Sequence, residues 1–352
     1  MNKKISNKIK YMYFFLTIGI VMYHNRHINN YYIISRNTLD ELSLALYLRI
    51  AEHIGVICMV FFFFMSAFWF YNGLNNNKEV LIKWKKRIKT LLVPFIIWSI
   101  IIAIYKVSIS DIVLNKDNIF YYFFISPIGR PLWYILGLLI LQLFSPIIIS
   151  LKKRKNIIKI SFSLIIIYIF LRCINIIPPF LSFELWWWYD VLIYYIPIYL
   201  IGAYIGMYHP DILLKKEYNE KIHTYIGILL LTISFNALSI IKQSNLMITI
   251  LFSIIYLIGF LLILKPKYFQ KKISDFFNCN FYISALHYSI LIPKTDELIT
   301  QLLHNQILYN IELVLIKIIQ IFIIVLISAI IRKIVTKIFP KQVDYCLTGG
   351  RQ

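Results

Sequence analysis

Ten apolar runs, each close to the length of a membrane-spanning helix, divide the sequence and limit what this chain folds into. A bilayer core about 30 Å thick requires about 20 helical residues to cross it. The runs therefore predict an all-α, polytopic membrane protein with ten transmembrane helices. Their approximate bounds are Tyr11–Ile28, Ile54–Tyr71, Leu91–Val107, Leu132–Ser150, Ile157–Cys173, Tyr189–Tyr208, Thr224–Ile241, Met247–Leu264, Cys279–Pro293 and Ile311–Ile331. The ninth run is short, and Ser284 and His287 interrupt it.

The composition agrees with a membrane protein. Apolar residues make up 60% of the sequence and charged residues 15%, whereas about 25% of the residues of ordinary soluble domains are charged. The formal net charge of +21 comes from short basic clusters between apolar runs. Such clusters are typical of loops beside anionic membrane lipids, so nucleic acid is not an expected partner. The four widely separated cysteines form neither a disulfide framework nor a zinc pattern, and no metal is expected.

The distribution of basic residues predicts the orientation. If the N-terminus is cytoplasmic and the spans alternate, most of the 37 Lys and Arg residues fall in cytoplasmic segments, as the positive-inside rule requires. Both termini are then cytoplasmic. Because the sequence shows no repeat and no linker, we expect one membrane domain over residues 1–340, followed by a short cytoplasmic tail, 341–352.

His24 is the most informative polar residue within the predicted spans. It lies about 20 Å along the first helix from Tyr11, which places it in the outer half of the membrane. A neutral imidazole at this position can accept a proton from a hydroxyl nucleophile. An interhelical hydrogen bond or an interfacial position explains the residue equally well. His27, one turn further on, is expected at the surface.

A dense basic cluster, Lys83–Lys89, precedes the third span on the predicted cytoplasmic side. Any basic loop serves as an orientation signal, but this cluster is denser than orientation requires. Lys86, Arg87 and Lys89 lie within a turn of the bilayer, where they could hold the phosphates of a cytosolic ligand such as coenzyme A.

Several short motifs follow one another along the chain. They are Tyr23-His24 at the end of the first span, Gly55-Val56 with Phe61–Phe68 in the second, Leu91–Pro94, Pro131–Tyr134, Ile201–Gly206 and Phe281–His287. Each motif is weak alone, but their order on a ten-span frame is more specific and resembles the integral-membrane acyltransferase-3 family.

The sequence also differs from the family pattern at three places. Tyr13-Phe14-Phe15 stands near the usual position of a first-span arginine, with Lys10 one turn lower as the only substitute. Arg87-Ile88-Lys89-Thr90 stands at the Arg-x-x-Arg of the family, and Ala67 stands at the glycine of its Ser-Gly-Phe.

The resemblance implies transfer of an acetyl group from cytosolic acetyl-CoA, as co-substrate, to a hydroxyl of a cell-surface glycan or its lipid-linked precursor. It also implies a multi-pass protein of the bacterial cytoplasmic membrane. On this basis His24 is the expected general base, and Arg87 with Lys86 or Lys89 is the expected donor site. The rival interpretations are a polytopic transporter or glycolipid flippase and a non-catalytic membrane scaffold.

Other polar or aromatic residues are weaker candidates for substrate binding. Glu52 and His53 precede the predicted second span on the outer side, either as an exposed loop pair or in contact with His24 or His27 across the bundle. His287 lies within the ninth span, where a buried hydrogen bond explains it as well as catalysis does. The full set of these candidates is Glu52, His53, Ser66, Arg130, Trp133 and His287.

Overall fold

The computed structural model describes most of the chain, and these residues are predominantly helical. The described ranges are 3–28, 31–74, 76–125, 128, 130–152, 186–214, 221–240, 246–264, 275–303 and 307–350. The fifth predicted span, Ile157–Cys173, lies outside the described residues. Each of the other nine predicted spans overlaps a helix, so the described part agrees with the all-α expectation apart from one pair of two-residue strands.

The first half of the chain contains six helices within its described ranges. They are α1 (Lys3–His24), α2 (Thr38–Tyr71), α3 (Asn77–Arg87), α4 (Val93–Ser108), α5 (Trp133–Leu143) and α6 (Ser145–Lys152). The short strand β1 (Ile33–Ile34) follows α1. A π-helical turn, Ile88–Leu92, joins α3 to α4, and a second one covers Tyr121–Ile125. The 3₁₀ turn Arg130–Leu132 precedes α5.

The second half continues with helices of similar character. They are α7 (Trp186–Tyr208), α8 (Asp211–Leu214), α9 (Lys221–Ile240), α10 (Leu246–Ile263), α11 (Asn280–Leu286), α12 (Ile292–Leu303), α13 (Asn310–Ile338) and α14 (Lys341–Thr348). The 3₁₀ turn Asp275–Asn278 precedes α11, and a π-helical turn, His287–Leu291, joins α11 to α12. Strand β2 (Leu308–Tyr309) precedes α13.

Four helical segments are long and apolar enough to cross a bilayer: Thr38–Tyr71, Asn77–Ser108, Lys221–Leu238 and Asn310–Ile338. Three shorter helices are also apolar: Trp133–Leu143, Tyr195–Tyr208 and Ile248–Ile263. These lengths and compositions fit a polytopic membrane protein. The number of ten crossings and the placement of both termini in the cytoplasm stay predictions.

Two of the π-helical turns stand in the same relation to a proline. Pro94 follows Ile88–Leu92 by two residues, and Pro293 follows His287–Leu291 by two residues. Proline has no N–H for the carbonyl four residues earlier. The N–H groups of Val93 and Ile292 instead donate to the carbonyls five residues back, those of Ile88 and His287. The helices therefore continue through the prolines with a local widening, a feature frequent at functional sites.

The chain divides into two compact units, Met1–Cys58 with Glu217–Gln352, and Met59–Lys216. In the first unit α1 contacts α11 and α13, and α9 pairs with α10. Strands β1 and β2 are parallel, with Ile33 opposite Leu308. Asp40 accepts hydrogen bonds from the N–H groups of Asn310 and Ile311, the first residues of α13. The carboxylate thus satisfies backbone donors that a helix start leaves unpaired.

The segment 341–352, which the sequence assigns to a cytoplasmic tail, begins with helix α14 in this first unit. Asp344 of α14 is buried. It accepts a hydrogen bond from the Tyr282 hydroxyl at 3.2 Å and one from Arg332 at 3.5 Å. The helix is therefore anchored to α11 and α13 by a buried carboxylate.

In the second unit α7 lies directly against the second half of α2. A Cβ on Gly202 would collide with the carbonyl oxygen of Phe64, and one on Gly206 would lie 2.6 Å from the carbonyl oxygen of Phe68. Two glycines four residues apart therefore allow backbone contact, as small residues do between membrane helices. The stacked rings of Phe63 and Tyr195, 4.9 Å apart between centroids, extend the same interface.

Candidate functional site

In the first unit His24, the last residue of α1, lies in a cluster of rings. Its imidazole is partly exposed. The centroid of its ring lies 5.2 Å from that of His287, 4.7 Å from that of Tyr288 and 4.9 Å from that of Tyr23. The structure therefore brings together two sequence candidates, His24 and His287, from helices at opposite ends of the chain.

The hydrogen bonding of His287 determines which of its ring nitrogens carries the proton. Nδ1 lies 2.8 Å from the carbonyl oxygen of Ile283, and because a carbonyl only accepts, Nδ1 is the donor. In the neutral ring Nε2 is then a bare acceptor. The side chain is fully buried, and Nε2 has no hydrogen-bond partner among the described residues. Nε2 of His287 is thus a buried hydrogen-bond acceptor in the ring next to His24.

The position of Tyr23 and His24 depends on a close approach of α1 to α2. A Cβ on Gly55 of α2 would lie 2.6 Å from Cγ of Tyr23, and one on Gly19 of α1 would lie 2.7 Å from Cγ1 of Ile54. The Cys58 thiol also donates to the carbonyl of Leu16 at 2.9 Å. Gly19 of α1 and Gly55 of α2 therefore allow the two helices to lie close together, and the Tyr23 ring packs against Gly55.

A buried charged network begins one residue after His24. Asn25 Nδ2 donates to the carbonyl of Lys317 at 3.1 Å. The Lys317 ammonium in turn lies 2.9 Å from Oδ1 of Asp296. The Lys317 side chain is 1% exposed and that of Asp296 is 11% exposed. Since a charge buried without a partner is costly, this pair holds the end of α1, α12 and α13 in one arrangement.

Two neutral donors complete the environment of Asp296. Gln320 Nε2 and the Tyr31 hydroxyl each donate to Oδ1 at 2.9 Å. Burial raises the pKa of Tyr31 above its usual range, and the charge of Asp296 and its hydrogen bond raise it further. The phenol therefore keeps its proton and remains a donor to the carboxylate.

In the second unit the environment of Arg87 differs from that of the neighbouring Lys86 and Lys89. Nη2 of Arg87 donates to the backbone carbonyl of Ser66 at 3.4 Å, so the structure brings two further sequence candidates together. Arg87 also lines a cavity of about 400 Å³ between α3, α5 and the two π-helical turns Ile88–Leu92 and Tyr121–Ile125. Lys86 and Lys89 are exposed. Of the three predicted donor-binding residues, Arg87 is the one that lines this cavity.

The cavity owes its shape to a break between α5 and α6. Pro146 stands four residues after Gln142 and has no N–H to donate to the Gln142 carbonyl. The indole Nε1 of Trp84 donates to this carbonyl at 3.0 Å instead, and the Ser145 hydroxyl does so at 2.6 Å. Lys83 anchors the same face of α3, because its ammonium donates to the carbonyls of Phe70 and Asn72 at the end of α2.

Glu52 and His53 lie inside helix α2, not in a loop before a span. Glu52 pairs with Arg49 one turn earlier, at 3.7 Å. His53 is 4% exposed and lines a cavity of about 60 Å³ with Arg49 and Tyr256. Helix α2 begins at Thr38, so the polar residues that precede the apolar run already belong to the helix.

The remaining candidates lie in the second unit. Trp133 begins α5, with its ring centroid 6.2 Å from that of Phe63. Ser66 is buried. Arg130 opens the 3₁₀ turn before α5.

The sequence interpretation missed three residues that these sites contain. Lys317 lies within the predicted tenth span, and an ionisable residue in a span is a functional signal. Asp296 follows the predicted ninth span, where nothing local marks it as buried. Gln142 is a polar residue within the predicted fourth span, which is a signal of the same kind, and Pro146 follows it by four residues.

Comparison with known proteins supports the resemblance found in the motifs. The sequence model of the acyltransferase-3 family, described as an acyltransferase domain, matches residues 7–338. No curated protein and no solved structure matches the chain. Because the match extends over nearly all of the sequence, the chain belongs to the integral-membrane acyltransferase-3 family.

Proposed function

We propose that this membrane acyltransferase moves an acetyl group from cytosolic acetyl-CoA to a hydroxyl of a cell-surface glycan or its lipid-linked precursor. Family membership supports acyl transfer. The observation that carries the mechanism is the pair of imidazoles, with His24 partly exposed and His287 buried beside it. An accessible imidazole with a second acceptor behind it is a suitable general base for a hydroxyl nucleophile.

In the proposed reaction His24 takes the proton of the acceptor hydroxyl while the hydroxyl oxygen attacks the thioester carbonyl. A carbon–oxygen bond forms, the carbon–sulfur bond breaks, and coenzyme A leaves as a thiolate that recovers the proton from His24. When His24 is protonated, the N–H on its other nitrogen is donated to Nε2 of His287, an acceptor without a partner among the described residues. This hydrogen bond forms during the reaction and stabilises the protonated base, which is the role of the third group in general-base arrangements.

The donor is assigned to the Arg87 cavity. A guanidinium binds phosphate oxygens through paired hydrogen bonds, and the exposed ammonium groups of Lys86 and Lys89 add positive charge next to it. The volume of about 400 Å³ beside Arg87 lies within the usual range of small-molecule sites. It accommodates a flexible, largely apolar arm such as the one that carries the thioester.

The test is acetyl transfer in membranes that contain the full chain. Radiolabelled acetyl-CoA is supplied to the cytoplasmic face, and label in the membrane glycans is measured for wild type, His24→Ala and His27→Ala. We expect His24→Ala to lower the rate about 10²–10⁴-fold, the usual contribution of general-base catalysis. The exposed His27 serves as the matched control, and its loss should leave the rate within twofold.

Two results would contradict the proposal in different ways. Full transfer by His24→Ala would remove the assigned base but leave the donor and acceptor in place. Absence of label in every glycan with the wild type would reject the donor and acceptor classes.

A further inference from the structure

A second polar residue, Gln142 of α5, lines the cavity beside Arg87. Apart from Arg87, Gln142 and Trp84, the residues around it are isoleucine, leucine and phenylalanine. A ligand in this cavity would therefore meet a largely apolar wall, with Arg87 and Gln142 as its polar residues. The few polar groups of such a site fix the orientation of what binds there.

The side chain of Gln142 is buried and lacks hydrogen bonds. The residue is 2% exposed. Neither its Oε1 nor its Nε2 has a hydrogen-bond partner in the part of the chain that the structure describes. Buried polar groups are usually paired, and an unpaired one requires an explanation. A ligand that supplies both a donor and an acceptor would satisfy the carboxamide.

The backbone around Gln142 is fixed independently of its side chain. The Trp84 indole and the Ser145 hydroxyl both bind the Gln142 carbonyl, in place of the N–H that Pro146 lacks. The backbone of Gln142 is thus held at the cavity wall by contacts that a side-chain substitution leaves intact. Such a rigid support is what a preorganised binding group requires.

The complementary ligand group is a secondary amide, which has one N–H and one carbonyl. The donor assigned to this cavity carries two such amides in its pantetheine arm, separated by apolar links and joined to phosphates. We infer that Gln142 binds an amide of this pantetheine arm while Arg87 binds the phosphates. This inference rests on the proposed function, because it assumes that the donor is an acyl-coenzyme A. A lipid chain would fill the same apolar cavity but would leave the carboxamide unpaired.

The test compares Gln142→Leu, Gln142→Asn and Leu138→Met in the purified full chain. Leucine removes the carboxamide at nearly constant volume, and asparagine keeps it but shortens its reach by one methylene. Leu138 is buried in the same helix and is not one of the residues that line the cavity, so its change to methionine controls for altered packing. Equilibrium binding of acetyl-CoA is measured first. Transfer is then measured with acetyl-CoA and with S-ethyl thioacetate, a thioester that has no amide.

We expect Gln142→Leu to raise the Kd for acetyl-CoA tenfold or more, Gln142→Asn to raise it by a smaller factor, and Leu138→Met to leave it within twofold. With S-ethyl thioacetate the three variants should match wild type in kcat/KM, because this donor has no amide to lose. A purely structural role of Gln142 would lower transfer from both donors equally and would overturn the inference.

Failure of the inference is separable from failure of the proposed function. If wild type binds acetyl-CoA and Gln142→Leu binds it equally well, the amide contact is wrong and the donor assignment stands. If wild type binds no acetyl-CoA, both are wrong. Should Gln142→Leu fail to fold, an unchanged Kd in the milder Gln142→Asn variant overturns the inference by itself.

Discussion

The ring of His287 lies 5.2 Å from that of His24 between centroids, and its Nδ1 is held by the carbonyl of Ile283. The two imidazoles are not equivalent. His24 is partly exposed, whereas His287 is fully buried. His24 is thus accessible to a substrate, whereas His287 is accessible only from within the protein, on the side of His24. The proposed mechanism rests on this difference, with proton transfer by His24 and positioning by His287.

The first prediction concerns the Nε2 acceptor of His287. His287→Phe keeps a planar ring but removes the acceptor. We expect kcat to fall about 10- to 100-fold, since the loss of a hydrogen bond to a charged group costs about 1.5–3 kcal/mol. KM for acetyl-CoA should stay within twofold, because His287 does not bind the donor. Steady-state transfer in membranes measures both parameters.

Two companion variants separate positioning by His287 from simple packing. His287→Gln returns an acceptor oxygen and should recover part of kcat. Tyr288→Phe keeps the ring that lies 4.7 Å from that of His24 and removes only its hydroxyl, so its rate should equal that of wild type. Equal losses in His287→Phe and His287→Gln would argue against the hydrogen bond.

The helices were largely predictable from the sequence, but their ends were not. A search for apolar runs detects the part of a helix that suits lipid. The helix itself continues wherever its backbone hydrogen bonds do, as α2 shows by beginning at Thr38 and including the charged Glu52. The helix of the ninth run also extends beyond its apolar part. Ser284 and His287 lie within one helical segment that runs from Asn280 to Leu303.

The candidate sites were predictable only in part. His24 and Arg87 carry local signals, because each is a titratable or basic residue in or beside an apolar run. The position of Gln142 beside Arg87 depends on how α5 packs against α3, and that of Asp296 on how α12 packs against α13. Contacts between distant segments follow from tertiary packing, which no local pattern in one sequence records.

The second prediction separates Arg87 from the other basic residues of its cluster. Arg87→Ala should raise KM for acetyl-CoA tenfold or more, because Arg87 lines the cavity that we propose for the donor. Lys86→Ala, one residue earlier and exposed, should raise it no more than threefold, because screening by salt weakens exposed charges. Transfer kinetics at physiological salt measure both values. Equal effects would place the phosphates on the surface cluster and not at the cavity.

The third prediction concerns the buried ion pair of Lys317 and Asp296. Lys317→Met leaves the carboxylate of Asp296 buried without its cation, and breaking a buried pair on one side costs about 3–5 kcal/mol. We expect a loss of this size in the free energy of unfolding, measured by denaturant titration in detergent. The double variant Lys317→Met with Asp296→Asn should be more stable than Lys317→Met alone, because no unpaired charge remains.

A matched control for this pair exists on the same helix as Asp296. Lys294 and Glu297 form an ion pair at 2.7 Å, with side chains 50% and 52% exposed. Exposed pairs of this kind contribute about 0–1 kcal/mol, so Lys294→Ala should leave the free energy of unfolding almost unchanged. A loss in Lys317→Met no larger than in Lys294→Ala would show that the buried pair contributes little to stability.

The fourth prediction concerns the contact between Gly55 and Tyr23. In Gly55→Ala the new Cβ would lie 2.6 Å from Cγ of Tyr23, so the ring must move. Since overpacking of this kind costs about 1–3 kcal/mol, both thermal stability and transfer should fall, because the ring belongs to the residue directly before His24. Leu42→Ala, an exposed change in the same helix, should alter neither.

A second substitution identifies the steric cause of any loss in Gly55→Ala. Removing the ring in the double variant Gly55→Ala with Tyr23→Ala relieves the overlap, and the double variant should unfold at a higher temperature than Gly55→Ala alone. Transfer should stay low, because the ring that contacts the His24 imidazole is then missing. If the double variant is less stable than either single variant, the two losses have separate origins, and Gly55 does not act by making room for Tyr23.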